Sequence, residues 1–289
     1  MAGFAPMAEM PAESAANANP ATVRRSFAFG ENWNSFLAEL DDSRIAEAEK
    51  SLQWLVGRER FEGMSFIDIG SGSGLSSLAA RRLGAHVFSF DDDPRSVECA
   101  ATLRDRFFPE DPDWSVERGS ILDRVYLSNL DRFDIVYSWG VLHHTGAMHE
   151  AIANASRLVA PGGIYVIALY RKTRLCWLWG LEKRWYYRAS PRAQSVVRGL
   201  YRGLMRVAFA VSGRNFNDYA SNYRGNRGMD LAHDVHDWLG GYPYESIGPA
   251  DVAKELTQLG FEHVRSKVRY SLGLFGSGCD EYVYRRVGS

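Results

Sequence analysis

The run Phe66-Ile67-Asp68-Ile69-Gly70-Ser71-Gly72-Ser73-Gly74 constrains this chain most. An apolar strand hands an acidic residue to a turn with glycine at every second position, and a helix-forming stretch begins at Leu75 and reaches Leu83. Glycine has no Cβ, so such a turn can be tight and can let a ligand approach the backbone. The helix behind it presents unpaired N-terminal amides to a polar ligand. Together these features predict an α/β fold that holds a nucleotide-like cofactor. A dinucleotide turn would read Gly-x-Gly-x-x-Gly, but here the glycines fall at 70, 72 and 74 and Leu75 occupies the third slot.

Four further strands follow in order. His86-Val87-Phe88-Ser89-Phe90 runs into Asp91-Asp92-Asp93, which places Asp91 about twenty residues after the first glycine, where a carboxylate at a strand end can accept ribose hydroxyls. Trp114-Ser115-Val116-Glu117-Arg118-Gly119-Ser120-Ile121 reads as a third strand running into a turn. Phe133 to Trp139 leads into Gly140-Val141-Leu142-His143-His144. A helix from about His149 to Val159 then meets Pro161-Gly162-Gly163 and the strand Ile164 to Leu169.

The spacing Asp68-x-Gly70-x-Gly72-x-Gly74, with Asp91 and the later strand ends, resembles the class I S-adenosylmethionine-dependent methyltransferases. The resemblance implies a Rossmann-like seven-stranded sheet with helices on both faces and an inserted, mostly helical lid. It implies that Asp68, Gly70, Ser71, Gly72 and Gly74 cradle the methionine part of the cofactor and that Asp91 holds the ribose. Asp92, Ser120 and Ile121 would border the adenine, and Ser138 and Trp139 the methyl-bearing sulfur. Ser120 stands where that family often has an acid.

The chain divides accordingly. Residues 1–22, rich in Ala, Pro, Met and Asn, read as a disordered arm, and 23–62 as a helical cap with an amphipathic helix from about Asp42 to Val56. Residues 63–170 form the cofactor-binding core, 171–248 an inserted lid, and 249–289 the closing helix, Pro249 to Leu259, with the last two strands, Phe261 to Ser271 and Cys279 to Arg286. With 46% hydrophobic residues among 289, one large core and a lid can be buried. No apolar run approaches the ~20 residues that cross a bilayer. The three cysteines, Cys99, Cys176 and Cys279, are widely spaced, which suggests neither a disulfide framework nor a structural zinc and makes a reducing cytoplasm the expected setting.

The acceptor depends on what is added to the core. Phe29 and Trp33 either wall the site or anchor the arm. A stretch Asn222-Tyr223-Arg224-Gly225-Asn226-Arg227 and then His233 to Glu245 resembles bacterial small-molecule methyltransferases of the ubiquinone-biosynthesis-like group; Tyr223, Arg224, Arg227, His233, His236 and Tyr244 are its candidate substrate contacts. His233, His236 and Asp237 lack a third ligand cluster, and no metal is expected. His143 and His144 either serve as the general base for a hydroxyl acceptor or shape the loop after the fourth strand.

Net charge is −1 for the whole chain, yet residues 171–214 carry eleven cations against Glu182 alone. Val197, Leu200, Tyr201, Leu204 and Ala208 fall on one side of a helix within that segment. A basic segment with interleaved aromatics either packs its apolar face on the core, lies on an anionic membrane surface, or contacts a second copy; a nucleic-acid role is not expected without a recognisable module. The functions open at this point are O-methylation of a small metabolite, N- or S-methylation of a zwitterionic one, and a non-catalytic cofactor-binding or membrane-associated module on the same fold.

Overall fold

The computed structural model describes residues 37, 40–227, 231–268 and 278–288; at 222–227, 232–234 and 237 it describes the backbone only. Among these residues one seven-stranded sheet has the order β3-β2-β1-β4-β5-β7-β6. Its strands are β1 (Ser65–Ile69), β2 (His86–Asp91), β3 (Trp114–Arg118), β4 (Phe133–Trp139), β5 (Val159–Tyr170), β6 (Phe261–Lys267) and β7 (Cys279–Arg286). The first five pair in parallel and β7 inserts antiparallel between β5 and β6.

Period-two alternation divides each central strand between two cores. Ile67 and Ile69 of β1, Tyr165, Ile167 and Leu169 of β5 and Tyr282 and Tyr284 of β7 face one layer. Phe66, Val166 and Val283 face the other. Helices α1 (Asp42–Val56), α2 (Leu75–Arg82) and α3 (Pro94–Phe107) cover the Phe66 side through Leu52, Leu55, Leu78 and Leu103. Helices α4 (Arg124–Ser128), α5 (Met148–Arg157) and, after the insertion, Pro249–Gln258 cover the Ile67 side through Leu127, Ile152 and Leu256. Burial on both faces explains why β1, β4 and β5 read as nearly continuous apolar runs.

Helix ends follow local chemistry. Asp41 caps α1 by accepting from the Arg44 amide, and Gly57 ends it in the left-handed region at φ 76°. The fifth strand is longer than expected: it begins at Val159, before Pro161-Gly162-Gly163, because a register irregularity between Phe133 and Ile135 of β4 accommodates that turn-like stretch. The sixth strand ends at Lys267, and the residues expected to continue it lie partly outside the described ones.

Between β5 and the closing helix lie α6 (Cys176–Arg188), α7 (Pro191–Val211), α8 (Phe216–Arg227) and α9 (Leu231–Gly240); the closing helix is α10. The insertion has its own small core of Tyr186, Phe216, Leu231, Val235 and Leu239, against which Val197, Tyr201, Met205 and Phe209 of α7 pack. Leu200 and Leu204, expected on the same side as Val197 and Tyr201, are instead 64% and 65% exposed. The contact follows the i, i+4 row 197-201-205-209, and residues 200 and 204 sit past its edge.

The insertion leaves and rejoins the sheet at one place. Arg171 and Ile247 form a parallel bridge, the Ile247 amide donates to the Tyr170 carbonyl and the Lys172 amide to the Ile247 carbonyl. Beside it Arg171 makes a two-pronged pair with the buried Asp280 of β7, Nε to Oδ2 at 2.7 Å and Nη2 to Oδ1 at 2.5 Å. Removing one partner of such a pair leaves a buried charge without its counterion. Asp280→Ala is therefore expected to lower the unfolding free energy by about 3–5 kcal/mol in urea titration; a loss below about 1 kcal/mol would contradict this account of the junction.

Candidate functional site

The C-terminal ends of the parallel strands bring the sequence motifs together. Between β1 and α2 the glycine turn runs with positive φ at Gly70, Gly72 and Gly74, 73°, 53° and 80°. A Cβ on Gly70 would come within 2.4 Å of Val141 in the loop after β4, and one on Gly74 within 3.0 Å of the Ala100 Cα on α3. Glycine is thus required twice over, by backbone angle and by close approach.

Asp91 ends β2 and faces this turn. One oxygen accepts from the Gly72 amide at 3.0 Å, the other from the Asp93 amide at 2.9 Å. Burial pushes its pKa up to about 6, with the Asp93 and Gly72 amides opposing and the neighbouring carboxylates adding to the rise. Ser71 is buried and its Oγ has no hydrogen-bond partner among the described residues. A carboxylate held by a glycine-turn amide and by the Asp93 amide, a glycine-rich backbone and an unpaired hydroxyl are the features expected where a polar, hydroxyl-bearing cofactor binds.

Asp68 lies beneath the turn, 2% exposed. It accepts from Ser77 Oγ at 2.6 Å; Ser77 accepts from Ser89 Oγ at 2.8 Å, and Ser89 from Trp114 Nε1 at 3.0 Å. This buried chain ties β1, α2, β2 and β3, and sequence reasoning missed all of it beyond Asp68. Serines at 77 and 89 on apolar faces were its only trace. Burial is the main cause that raises Asp68 to about 7, with Ser77 opposing and Asp91 adding.

On the far side of the turn Asp92 is exposed, Ser120 is half-buried with Oγ accepting from the Leu122 amide, and Ile121 is buried, its carbonyl held by Asn154. Ser138 is buried and donates to the Ile69 carbonyl at 3.0 Å, so it cross-links β4 to β1. Trp139 is 44% exposed, and its Nε1 donates to Glu281 at 3.1 Å.

His143 and His144 form the one-turn 3-10 helix Leu142–His144 after β4. His143 is fully buried, 4.0 Å from the Tyr170 ring and 4.4 Å from His144 between centroids, and neither nitrogen has a partner among the described residues. Burial holds its pKa well below the usual histidine value. His144 Nδ1 is 2.8 Å from the Pro243 carbonyl, and burial lowers it to about 4. The Pro243 contact requires the proton on Nδ1.

Glu245 completes this clamp. Its amide donates to the His143 carbonyl at 3.0 Å and its carboxylate accepts from the Met148 amide at 2.9 Å, at the start of α5, where no side chain of the helix's own N-cap does so. Tyr244 lies 5.4 Å from Tyr170 and donates to Cys176 Sγ at 3.3 Å. The return of the insertion is therefore fastened to the histidine loop, a pairing across about a hundred residues that no local pattern announces.

Of the other substrate candidates, His236 lies inside the insertion, 2.7 Å from Tyr186 Oη and 3.1 Å from Arg198. Phe29 and Trp33 lie outside the described residues, as do the side chains of Tyr223, Arg224, Arg227 and His233. Three of the cations in 171–214 are not exposed, Arg198 through its contacts to Tyr186 and His236. Lys183 is 1% exposed, sits 4.4 Å from the Trp238 ring and donates to the Trp238 carbonyl, and Arg171 is paired with Asp280. Among the described residues no group of three His, Cys, Asp or Glu side chains gathers at metal-binding distance.

Comparison with known proteins follows the same lines. The model of a family described as "Methyltransferase domain" matches residues 40–204. The ubiquinone biosynthesis O-methyltransferase of Maricaulis maris (strain MCS10) is 31% identical over 119 residues, 41% of this chain and 45% of that protein. The protein of the same name from Brucella melitensis biotype 2 is 24% identical over 187 residues, 60% and 72% of the two chains. The chain spans about half the length of the first of these curated relatives. Magnesium protoporphyrin IX methyltransferase from Synechocystis PCC 6803, solved with SAH, superposes with a TM-score of 0.51 at 16% identity, over 84% of each chain. An O-methyltransferase family protein from Burkholderia thailandensis reaches 0.50 at 14% identity, over 90% of this chain and 62% of its own. At these identities the superpositions show a shared fold.

The raised pKa of Asp68 has a pH signature. The native state keeps a proton that the unfolded chain has released between about pH 4 and about pH 7, so this group makes stability fall as pH rises through that window. Asp68→Asn keeps an oxygen for Ser77 and removes the titration. Unfolding free energies measured across this range should decline less steeply in the variant than in the wild type; identical slopes would contradict the burial of a protonatable Asp68.

Proposed function

The chain belongs to the methyltransferase family, whose domain covers residues 40–204, and from that premise we propose that it transfers a methyl group from S-adenosylmethionine to a hydroxyl of a small-molecule metabolite. The carrying observation is the cradle at the strand ends, where Asp91 accepts from the Gly72 and Asp93 amides beside the unpaired Ser71 hydroxyl. When bound, the cofactor supplies a methyl group activated by a sulfonium. Gly70, Ser71, Gly72 and Gly74, seated over Asp68, receive its methionine end; Asp91 receives the ribose; Asp92, Ser120 and Ile121 border the adenine; Ser138 and Trp139 border the sulfur. The relatives named for O-methylation in ubiquinone biosynthesis support a hydroxyl acceptor.

What the protein adds is alignment and exclusion of water. His143, His144, Tyr170 and Tyr244 form the acceptor-side wall. An imidazole with a pKa near 4 is a weak base at neutral pH, and His144 commits its Nδ1 proton to Pro243. This favours the wall-forming role over the general base, and an acceptor whose hydroxyl is already acidic, as a phenol is. An N or S acceptor has the same freedom from a base, and an acceptor screen separates the two. Segment 171–214 serves in addition as a contact surface, toward a membrane or a second copy.

Calorimetric titration should show S-adenosylmethionine and S-adenosylhomocysteine binding, with turnover on phenols or quinols in a methyl-transfer screen; no binding of either ligand would overturn the assignment. Asp91→Ala should weaken binding by ~1–3 kcal/mol through loss of charge-assisted hydrogen bonds. Wild-type affinity should fall as pH drops below about 6, where the Asp91 carboxylate takes up a proton.

For the histidines, His144→Asn can still donate to Pro243 and should keep most of the activity that His144→Ala loses. Equal loss in both variants, with a rate that rises through an imidazole titration, would restore the base.

A further inference from the structure

The insertion exposes an unusual amount of apolar surface for a segment so basic. On α7, Val196, Leu200, Leu204, Val207 and Val211 are 61–85% exposed. Their spacing of four, four, three and four places them on one stripe of a helix. The neighbouring row, Val197, Tyr201, Met205 and Phe209, packs on the insertion core, and the stripe lies past its edge, open to solvent. On α6, Trp177, Leu181 and Trp185 repeat at i, i+4, i+8, and with Leu178 they too are exposed, Trp177 at 66% and Trp185 at 54%. Scattered exposed leucines are ordinary; two helical stripes on consecutive helices are not.

The charges beside these stripes have one sign. Lys172, Arg174, Arg184, Arg188, Arg192, Arg202, Arg206 and Arg214 are exposed, and from Lys183 to Asn217 the sequence contains no acidic residue. On α7, Arg192 falls beside the stripe on the side away from the packed row, and Arg202 and Arg206 lie farther round toward Phe209, the Arg206 guanidinium 5.3 Å from the Phe216 ring. A second copy docking stripe to stripe would bring these guanidiniums together with no carboxylate between them. An anionic surface with an apolar interior matches both features at once, leucine, valine and indole for the acyl boundary and arginine for the headgroups. No helix among the described residues is long and apolar enough to cross a membrane, so contact would be in the plane of the surface.

We infer that the exposed stripes of α6 and α7 form a docking surface for an anionic lipid bilayer, against which the insertion lies flat. This rests on the proposal that 171–214 is a contact surface and is independent of the methyl-transfer chemistry.

Vesicle co-sedimentation of the full chain tests it. Binding is expected to equimolar phosphatidylglycerol and phosphatidylcholine vesicles at low salt, with at least ~tenfold weaker binding at high salt or to phosphatidylcholine alone. Leu200→Glu with Leu204→Glu should abolish it. Arg202→Gln with Arg206→Gln, which leaves the apolar stripe intact, should reduce it by about tenfold. Circular dichroism and S-adenosylmethionine titration of each variant report folding and the cofactor site separately, so failure of cofactor binding would sink the methyltransferase reading without touching the lipid result.

Absence of wild-type binding to the anionic vesicles overturns the inference. So does equal binding to both vesicle types, or a dimer in light scattering that the leucine variant dissolves while vesicles stay empty.

Discussion

The Cβ that Gly70 lacks is the space that Val141 fills, and much of the site follows from this contact. Because the turn after β1 and the loop after β4 touch there without an intervening side chain, the two strand ends that border the cofactor cradle are held in fixed relation. From Val141 the loop continues into His143 and His144, which are in turn gripped by Pro243 and Glu245 at the far end of the insertion. A single missing methyl at Gly70 therefore sits at the start of a chain of contacts that runs from cofactor side to acceptor side.

Beneath the same turn the protein spends polarity in its interior. Trp114, Ser89, Ser77 and Asp68 hand hydrogen bonds from β3 to β1 through a layer that is otherwise apolar. Each polar group is satisfied by the next, so burial costs little as long as the chain is complete. It terminates on a carboxyl that accepts from one hydroxyl and is crowded by the charge of Asp91. The cradle thus couples two carboxylates, one under the turn and one facing it.

Much of the core was legible because its physics is local. Strand ends at Asp91 and Trp139, the helix end at Val56 and the even spacing of Gly70, Gly72 and Gly74 are consequences of side-chain period and backbone angle, and the structure repeats them. What escaped was tertiary. Glu245 reads as one more acid in a polar stretch, yet it serves the start of α5. His236 reads as a candidate substrate contact and Lys183 as one of a run of cations, and the sequence does not announce that Tyr186 and Trp238 meet them inside the insertion. The phase of α7 was misjudged for the same reason: the helix is apolar over more than half its circumference, and periodicity alone does not say which part of so wide a face meets a partner.

The parallel bridge between Arg171 and Ile247 gives the insertion a particular topology. Its first and last residues lie side by side, about one strand spacing apart, so some 75 residues hang from the sheet as from a single point. Closing a loop between two such ends costs chain entropy that grows only slowly with length, about 0.6 kcal/mol for each doubling. The order of the seven strands does not depend on what is suspended there. In evolutionary terms this is a socket: helices can be lengthened, recharged or exchanged within it while the cofactor cradle, built from other loops, stays as it is.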